Sequence, residues 1–141
     1  MQMNPYLSFK GDCEAAFAFY EQALGAKPGP VFRYGESPMA GEAPAGWSNK
    51  IMHASLTIGD QVVMGADITP DRYEAPKGIS LSLQLTSVEE SERIFRDLAH
   101  EANVLMPLEK TFWAERFGMV VDRFGIPWLV NCEPAAGSAE R

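Results

Sequence analysis

One pattern near the middle of the chain restricts the fold more than any other, because the front of the chain repeats it. Residues 79–98 read ISLSLQLTSVEESERIFRDL. Leu81, Leu83 and Leu85 alternate with Ser80, Ser82 and Gln84, the period of a strand with one dry and one polar face. Ser87 and Glu90 then have the spacing of a capping box. Val88, Ser91, Ile94, Phe95 and Leu98 follow at helical spacing, so the unit is strand, corner, amphipathic helix. A constant separation of 76 residues relates Leu7 to Leu83, Phe9 to Leu85, Glu14 to Glu90 and Phe19 to Phe95. This spacing predicts an internal duplication.

The remaining chain fits that plan. Asn4 to Lys10 reads as a strand, with Asp12 the expected N-cap of a helix over Cys13 to Leu24 and Gly25 its stop. Phe17, Tyr20 and Leu24 form the expected buried stripe. A second strand is predicted from Pro30 to Tyr34. Gly35 to Asn49 is rich in Gly, Pro, Ala and Ser around Trp47, and such loops are either flexible insertions or covers over a partner. Lys50 to Ile58 alternates with Met52, Ala54, Leu56 and Ile58 on the apolar side, and Gly59-Asp60 turns it into a strand over Gln61 to Asp67. Residues 68–78 are the expected linker. The second module, 79–133, repeats the order with strand 79–86, helix 88–100 and strands near 103–109, 117–122 and 128–132. Residues 134–141 have the composition of a tail. The expected architecture is α+β, a single domain over 1–141 built from two βαβββ modules, 4–67 and 79–133.

Composition excludes several classes. With 46% hydrophobic residues the chain can fill a core, and its net charge of −7 leaves no basic footprint for nucleic acid. No apolar run approaches the roughly 20 residues of a membrane span, and the expected location is cytoplasmic. Cys13 and Cys132 read as buried free thiols.

If the apolar strand faces lie under the helices, Tyr6, Ser8, His53, Ser55, Thr57, Ser80, Ser82 and Gln84 share the opposite faces. These are uncharged hydrogen-bonding groups where a solvated sheet carries charges, and they suit a cavity for a small, partly polar molecule. Trp113, with Phe112 and Phe117, is expected either in the core or at the mouth of that cavity. Arg116 is placed to orient an anionic group or to pair on the surface, and Asn131 is assigned to the cavity, with Trp128 and Val130 in the core.

The duplicated order resembles the vicinal oxygen chelate superfamily, which includes glyoxalase I, extradiol dioxygenases and bleomycin-resistance proteins. The pieces PYLSFKGDCEAAFAFYEQALGA, IMHASLTIGDQVVMGAD and TFWAERFGMVVDRFGIPWLVNCE resemble its PhnB-like branch most closely. The resemblance implies paired modules forming a concave, mostly antiparallel sheet, and usually a homodimer. Proteins of that branch have been called ubiquinone-related methyltransferases, yet the chain has no glycine-rich S-adenosylmethionine loop. The superfamily's metal-ligand positions fall at Asn4 or Pro5, Met64, Ser80 and Leu129, none of which is His, Glu, Asp or Cys. The expectation is therefore no metal and no other cofactor, with Met64 among the ligand-binding residues. His53 and Glu115 are the candidate catalytic pair, and Tyr6, Ser8, Ser55, Met64, Ser82, Gln84, Trp113, Arg116 and Asn131 the candidate ligand contacts. The expected function is metal-independent binding of a small molecule by a homodimer. Its alternatives are a lyase, isomerase or dioxygenase acting on a small oxygenated substrate, and a drug-sequestering resistance-type protein.

Overall fold

The computed structural model describes residues 1–38, 41 and 43–134. In chain order its elements are β1 (Tyr6–Phe9), α1 (Cys13–Leu24), β2 (Lys27–Arg33), a short 3₁₀ turn (Tyr34–Glu36), β3 (Ile51–Ile58) and β4 (Gln61–Asp67). They continue as β5 (Leu81–Leu85), α2 (Val88–Leu98), β6 (Asn103–Glu109), β7 (Arg116–Val121) and β8 (Pro127–Cys132). The chain divides into two compact units, Met1–Glu74 and Ala75–Arg141. Each holds one four-stranded sheet, ordered β1-β4-β3-β2 in the first and β5-β8-β7-β6 in the second. In both, the opening strand lies parallel to the closing one and the other pairings are antiparallel. The predicted βαβββ order thus occurs twice, and the fold is α+β. The tail expected over 134–141 lies outside the described residues from 135 onward.

In the first unit Leu7, Phe9, Ala54, Leu56 and Val63 are buried with Phe17 and Tyr20 of α1. Phe9 and Phe17 meet edge to face at 6.0 Å between ring centres. Gly65, beside Leu7 and Ala54 in register, is where the helix comes closest. A Cβ there would stand 2.8 Å from the tip of the Phe17 ring. In the second unit Gly118 plays the same part, its Cβ falling 2.7 Å from the Phe95 ring and 3.0 Å from Leu108 Cα. Each Cβ would also crowd a neighbouring strand's backbone, the Leu7 carbonyl oxygen at 3.1 Å from Gly65 and Leu108 Cα at 3.0 Å from Gly118, and backbone cannot tilt aside as a ring can. Gly65→Ala and Gly118→Ala are therefore each expected to cost about 2–3 kcal/mol as overpacking of a tight core. Urea melts of the two variants check this, and a parental midpoint in either would contradict it.

Three local expectations are corrected. Asp12 precedes α1, but no side-chain cap bond forms there. The backbone N–H groups of Gly11 and Cys13 instead both donate to Oδ1 of Asp67, each at 2.9 Å, from the far end of β4. Leu24 is only half-buried, and Ala16 and Ala23 complete the helix stripe with Phe17 and Tyr20. Met52 leaves the apolar side of β3: Phe32 pairs with His53 but Arg33 with Ile51, so β3 carries one extra residue and Ile51 takes the core position. In α2 the hydroxyl half of the capping box forms as expected, Ser87 Oγ accepting from the Glu90 N–H at 3.1 Å. Both cysteines are free and buried.

Candidate functional site

The face of the first sheet turned away from α1 carries the residues that alternate with its core. Register aligns Tyr6, Met64 and Ser55 across β1, β4 and β3, with Ser8 beside Ala66. His53 stands opposite Phe32 of β2. The Tyr6 hydroxyl lies 3.1 Å from His53 Nδ1, and their rings are 5.6 Å apart. Phe32 closes the other side, its ring centre 6.4 Å from that of His53. Tyr6 and Phe32 are each about half exposed, at 52% and 51%, while Ser8, His53, Ser55 and Met64 are half-buried.

Partial burial, with Cys13 and Tyr34 behind it, pushes the Tyr6 phenol above its ordinary range. A phenol kept protonated is suited to donate to Nδ1. A neutral imidazole then carries its proton on Nε2, the nitrogen left to meet a ligand. Cys13, beneath this sheet, stays a thiol: burial first, then the Asp67 carboxylate, push its pKa up.

In the second unit the same face gathers Ser82, Gln84 and Asn131. Gln84 Nε2 donates to Ser82 Oγ at 2.6 Å, and Asn131 Nδ2 donates to Gln84 Oε1 at 2.9 Å. Asn131 Oδ1 is a buried acceptor that none of the described residues satisfies. Phe117 pairs with Asn131 and packs against Trp113 at 5.2 Å, which in turn meets Phe112 at 4.8 Å. Phe112 is fully exposed and Trp113 half exposed, so this aromatic group is not core. Ser82 and Gln84 are exposed as well.

Of the two expectations for Arg116, pairing with a neighbouring carboxylate is the one that forms. Arg116 shares the helix side of β7 with Gly118 and Val120, because strand alternation separates it from Phe117. Its Nε lies 3.7 Å from Glu92 of α2, and its Nη1 donates to the Glu115 carbonyl. It is therefore not beside Asn131. Glu115, in the second unit, pairs at 3.9 Å with Lys110.

The positions that hold metal in the resembling superfamily fail a chemical fit. Asn4 spends its amide N–H on the Val62 carbonyl at 3.2 Å, and the remaining side chains are a pyrrolidine, a thioether, a hydroxyl and an isobutyl group. That set cannot supply the field of a zinc, nickel or iron site. Among the described residues, no three His, Cys, Asp or Glu side chains gather as a metal-holding group.

Sequence reasoning missed Phe32, which sits on an edge strand containing two prolines and showing no alternation. It also missed Asp67 and Asp122 as buried anchors. The available signal was a lone carboxylate ending each of the runs VVMGAD and GMVVD.

The family model described as the Glyoxalase/Bleomycin resistance protein/Dioxygenase superfamily matches residues 2–130. Protein YjdN of Escherichia coli K12 is 36% identical over 139 residues, spanning 93% of this chain and 95% of that protein. Among solved structures, protein PA1353 from Pseudomonas aeruginosa is 47% identical with a TM-score of 0.86, covering 95% of this chain and 98% of that one. The PhnB protein from Bacillus cereus is 25% identical with a TM-score of 0.81, covering 94% and 99%. Among the described residues no helix is long and apolar enough to cross a membrane.

Proposed function

The chain belongs to the glyoxalase/bleomycin resistance protein/dioxygenase superfamily, and from that membership we propose that it binds a small, partly polar molecule without a divalent metal. The open face around Tyr6, His53 and Phe32 is the binding surface. The Tyr6–His53 contact carries this reading, because the hydroxyl 3.1 Å from Nδ1 orients the imidazole next to two half-exposed rings, and when the phenol donates, a neutral imidazole carries its proton on Nε2. That arrangement offers a donor to a ligand oxygen, and aromatic faces to its apolar part. Ser8 on the edge strand β1 and Ser55 on the inner strand β3 add hydroxyls to the same face.

An enzymatic reading, in which His53 removes a proton alpha to a carbonyl, needs Nε2 unprotonated. A donating Tyr6 works against that state, so binding is favoured over proton abstraction. Tyr6→Phe separates the two: it frees Nδ1 and is expected to weaken binding rather than raise turnover. Metal analysis of protein purified without chelator tests the metal-free part. Well under one tenth of an equivalent of zinc, nickel, manganese or iron per chain is the expected result, and a near-stoichiometric amount overturns the reading. Amide chemical shifts followed during titration with small carboxylic acids and amides test the site. Shifts are expected to concentrate at Tyr6, Phe32 and His53 and to shrink several-fold in His53→Ala.

A further inference from the structure

The first unit also contains a cavity of about 750 Å³ that shares no lining residue with the Tyr6–His53 face. Its walls are Tyr34, Trp47, Met52 and Ile68, and Thr69 and Arg72 stand at its edge. That volume lies within the ordinary range of small-molecule sites, about 300–1,000 Å³. Tyr34, Trp47, Met52 and Ile68 are each half-buried, so part of each side chain is left uncovered.

The loop forming one wall is tied down at its base. Tyr34 N–H donates to the Lys50 carbonyl and Gly35 N–H to the Ser48 carbonyl, at 3.0 and 2.8 Å. The Arg33 guanidinium grips both Glu14 oxygens, at 3.1 and 2.7 Å, and the Asn49 carbonyl at 2.7 Å. Trp47 is held between two turns, its N–H bonded to the Pro44 carbonyl and its own carbonyl bonded by the Lys50 N–H. It meets Tyr34 edge to face at 6.0 Å, and the Tyr34 hydroxyl donates to the Asp67 carbonyl at 2.7 Å. On the opposite wall, the backbone N–H groups of Arg72 and Tyr73 both close onto the Thr69 carbonyl. That turn joins Thr69 and Arg72, both of which line the cavity.

We propose that this cavity binds a planar aromatic anion, its ring system between Trp47, Tyr34 and Met52 and its anionic group on Arg72 and Thr69. Asp71 also borders the cavity, and its carboxylate offsets the Arg72 charge, so the preference for an oxyanion rests on the donors that Arg72 and Thr69 supply. Polarizable Met52 and the two aromatic walls suit a flat ring. The site stands independently of the reading given for His53.

Naphthalene-2-sulfonate is the probe, with the uncharged naphthalene-2-sulfonamide beside it, titrated calorimetrically into the full chain. Saturable one-to-one binding is expected, at least fivefold weaker for the sulfonamide. Arg72→Gln, an exposed position, is expected to weaken sulfonate binding about tenfold while leaving the circular dichroism spectrum intact. Trp47→Leu is expected to weaken both probes alike, and His53→Ala to leave both within twofold. Lack of saturable binding overturns the proposal, as does undiminished sulfonate affinity in Arg72→Gln. Loss of binding in His53→Ala would move the site to the open sheet face and overturn it equally.

Discussion

Asp67→Ala is expected to lower the melting temperature by about 12 °C. Asp67 is 1% exposed and accepts three backbone N–H bonds, from Gly11 and Cys13 on Oδ1 and from Ile51 on Oδ2, all at 2.9 Å. Those donors belong to the entry of α1 and the start of β3, so one side chain joins three segments distant in sequence. Removing it leaves three donors without that acceptor, two of the three bonds being buried. A charge-assisted bond is worth about 1.5–3 kcal/mol, and part of the loss relaxes through water at the half-buried Gly11. A net cost of about 4 kcal/mol follows, a large share of the 5–15 kcal/mol by which a domain is ordinarily stable. Near this size each kcal/mol moves the midpoint by roughly 3 °C. Asp67→Asn refines the test, since it keeps one oxygen for Gly11 and Cys13 but turns an NH₂ group toward the Ile51 N–H. Its expected cost is about half that of the alanine. Thermal melts followed by circular dichroism decide, and a midpoint within 3 °C of the parent for Asp67→Ala would refute the assignment.

Asp67 also marks the line between what the sequence displays and what it hides. Helices and strands that alternate or recur at fixed spacing were legible because periodicity is a local property. Thus Cys13–Leu24 and Gln61–Asp67 occupy the predicted residues. The spacing of 76 extends through β2 and β6, then drops to 65 between β4 and β8, because residues 34–50 bridge in the first unit what 110–115 bridge in the second. The cap of α1 was not legible, because Asp12 has the right type and place while the bonding carboxylate lies 54 residues further on. Met52 was misplaced, and the two alternatives for Arg116 could not be told apart, for a related reason. A one-residue bulge or a change of parity moves a side chain to the other face of a strand, and neither leaves a trace in composition. The Tyr6–His53 contact was among the open alternatives because both residues lay on predicted polar faces; choosing it required strand order. The cavity beside Trp47 comes from two turns and a loop without periodicity, where no sequence rule reaches.

The second unit has its own buried carboxylate, and here a pair of substitutions reveals more than either alone. Asp122, 3% exposed, holds the β7–β8 turn by accepting the N–H groups of Phe124 and Ile126 on Oδ1, at 2.8 and 3.0 Å. Its Oδ2 accepts from the indole Nε1–H of Trp128 at 2.8 Å. Asp122→Asn must then direct an NH₂ group at a donor in either orientation. The less costly one faces Trp128, because the other confronts two backbone N–H groups. A loss of about 2–3 kcal/mol is expected. Trp128→Phe removes the indole donor and leaves unfilled volume at a residue 2% exposed, costing about 2–3 kcal/mol. In the double variant the amide NH₂ no longer meets an opposing donor, so the two costs do not add. The combined loss is expected to fall short of their sum by about 1–2 kcal/mol, well outside the 0.3–0.5 kcal/mol scatter of independent sites. Urea denaturation of the four proteins measures this coupling directly. A cycle that closes additively would mean that the bond between Trp128 and Asp122 contributes nothing to stability, and that the turn is held by its backbone donors alone.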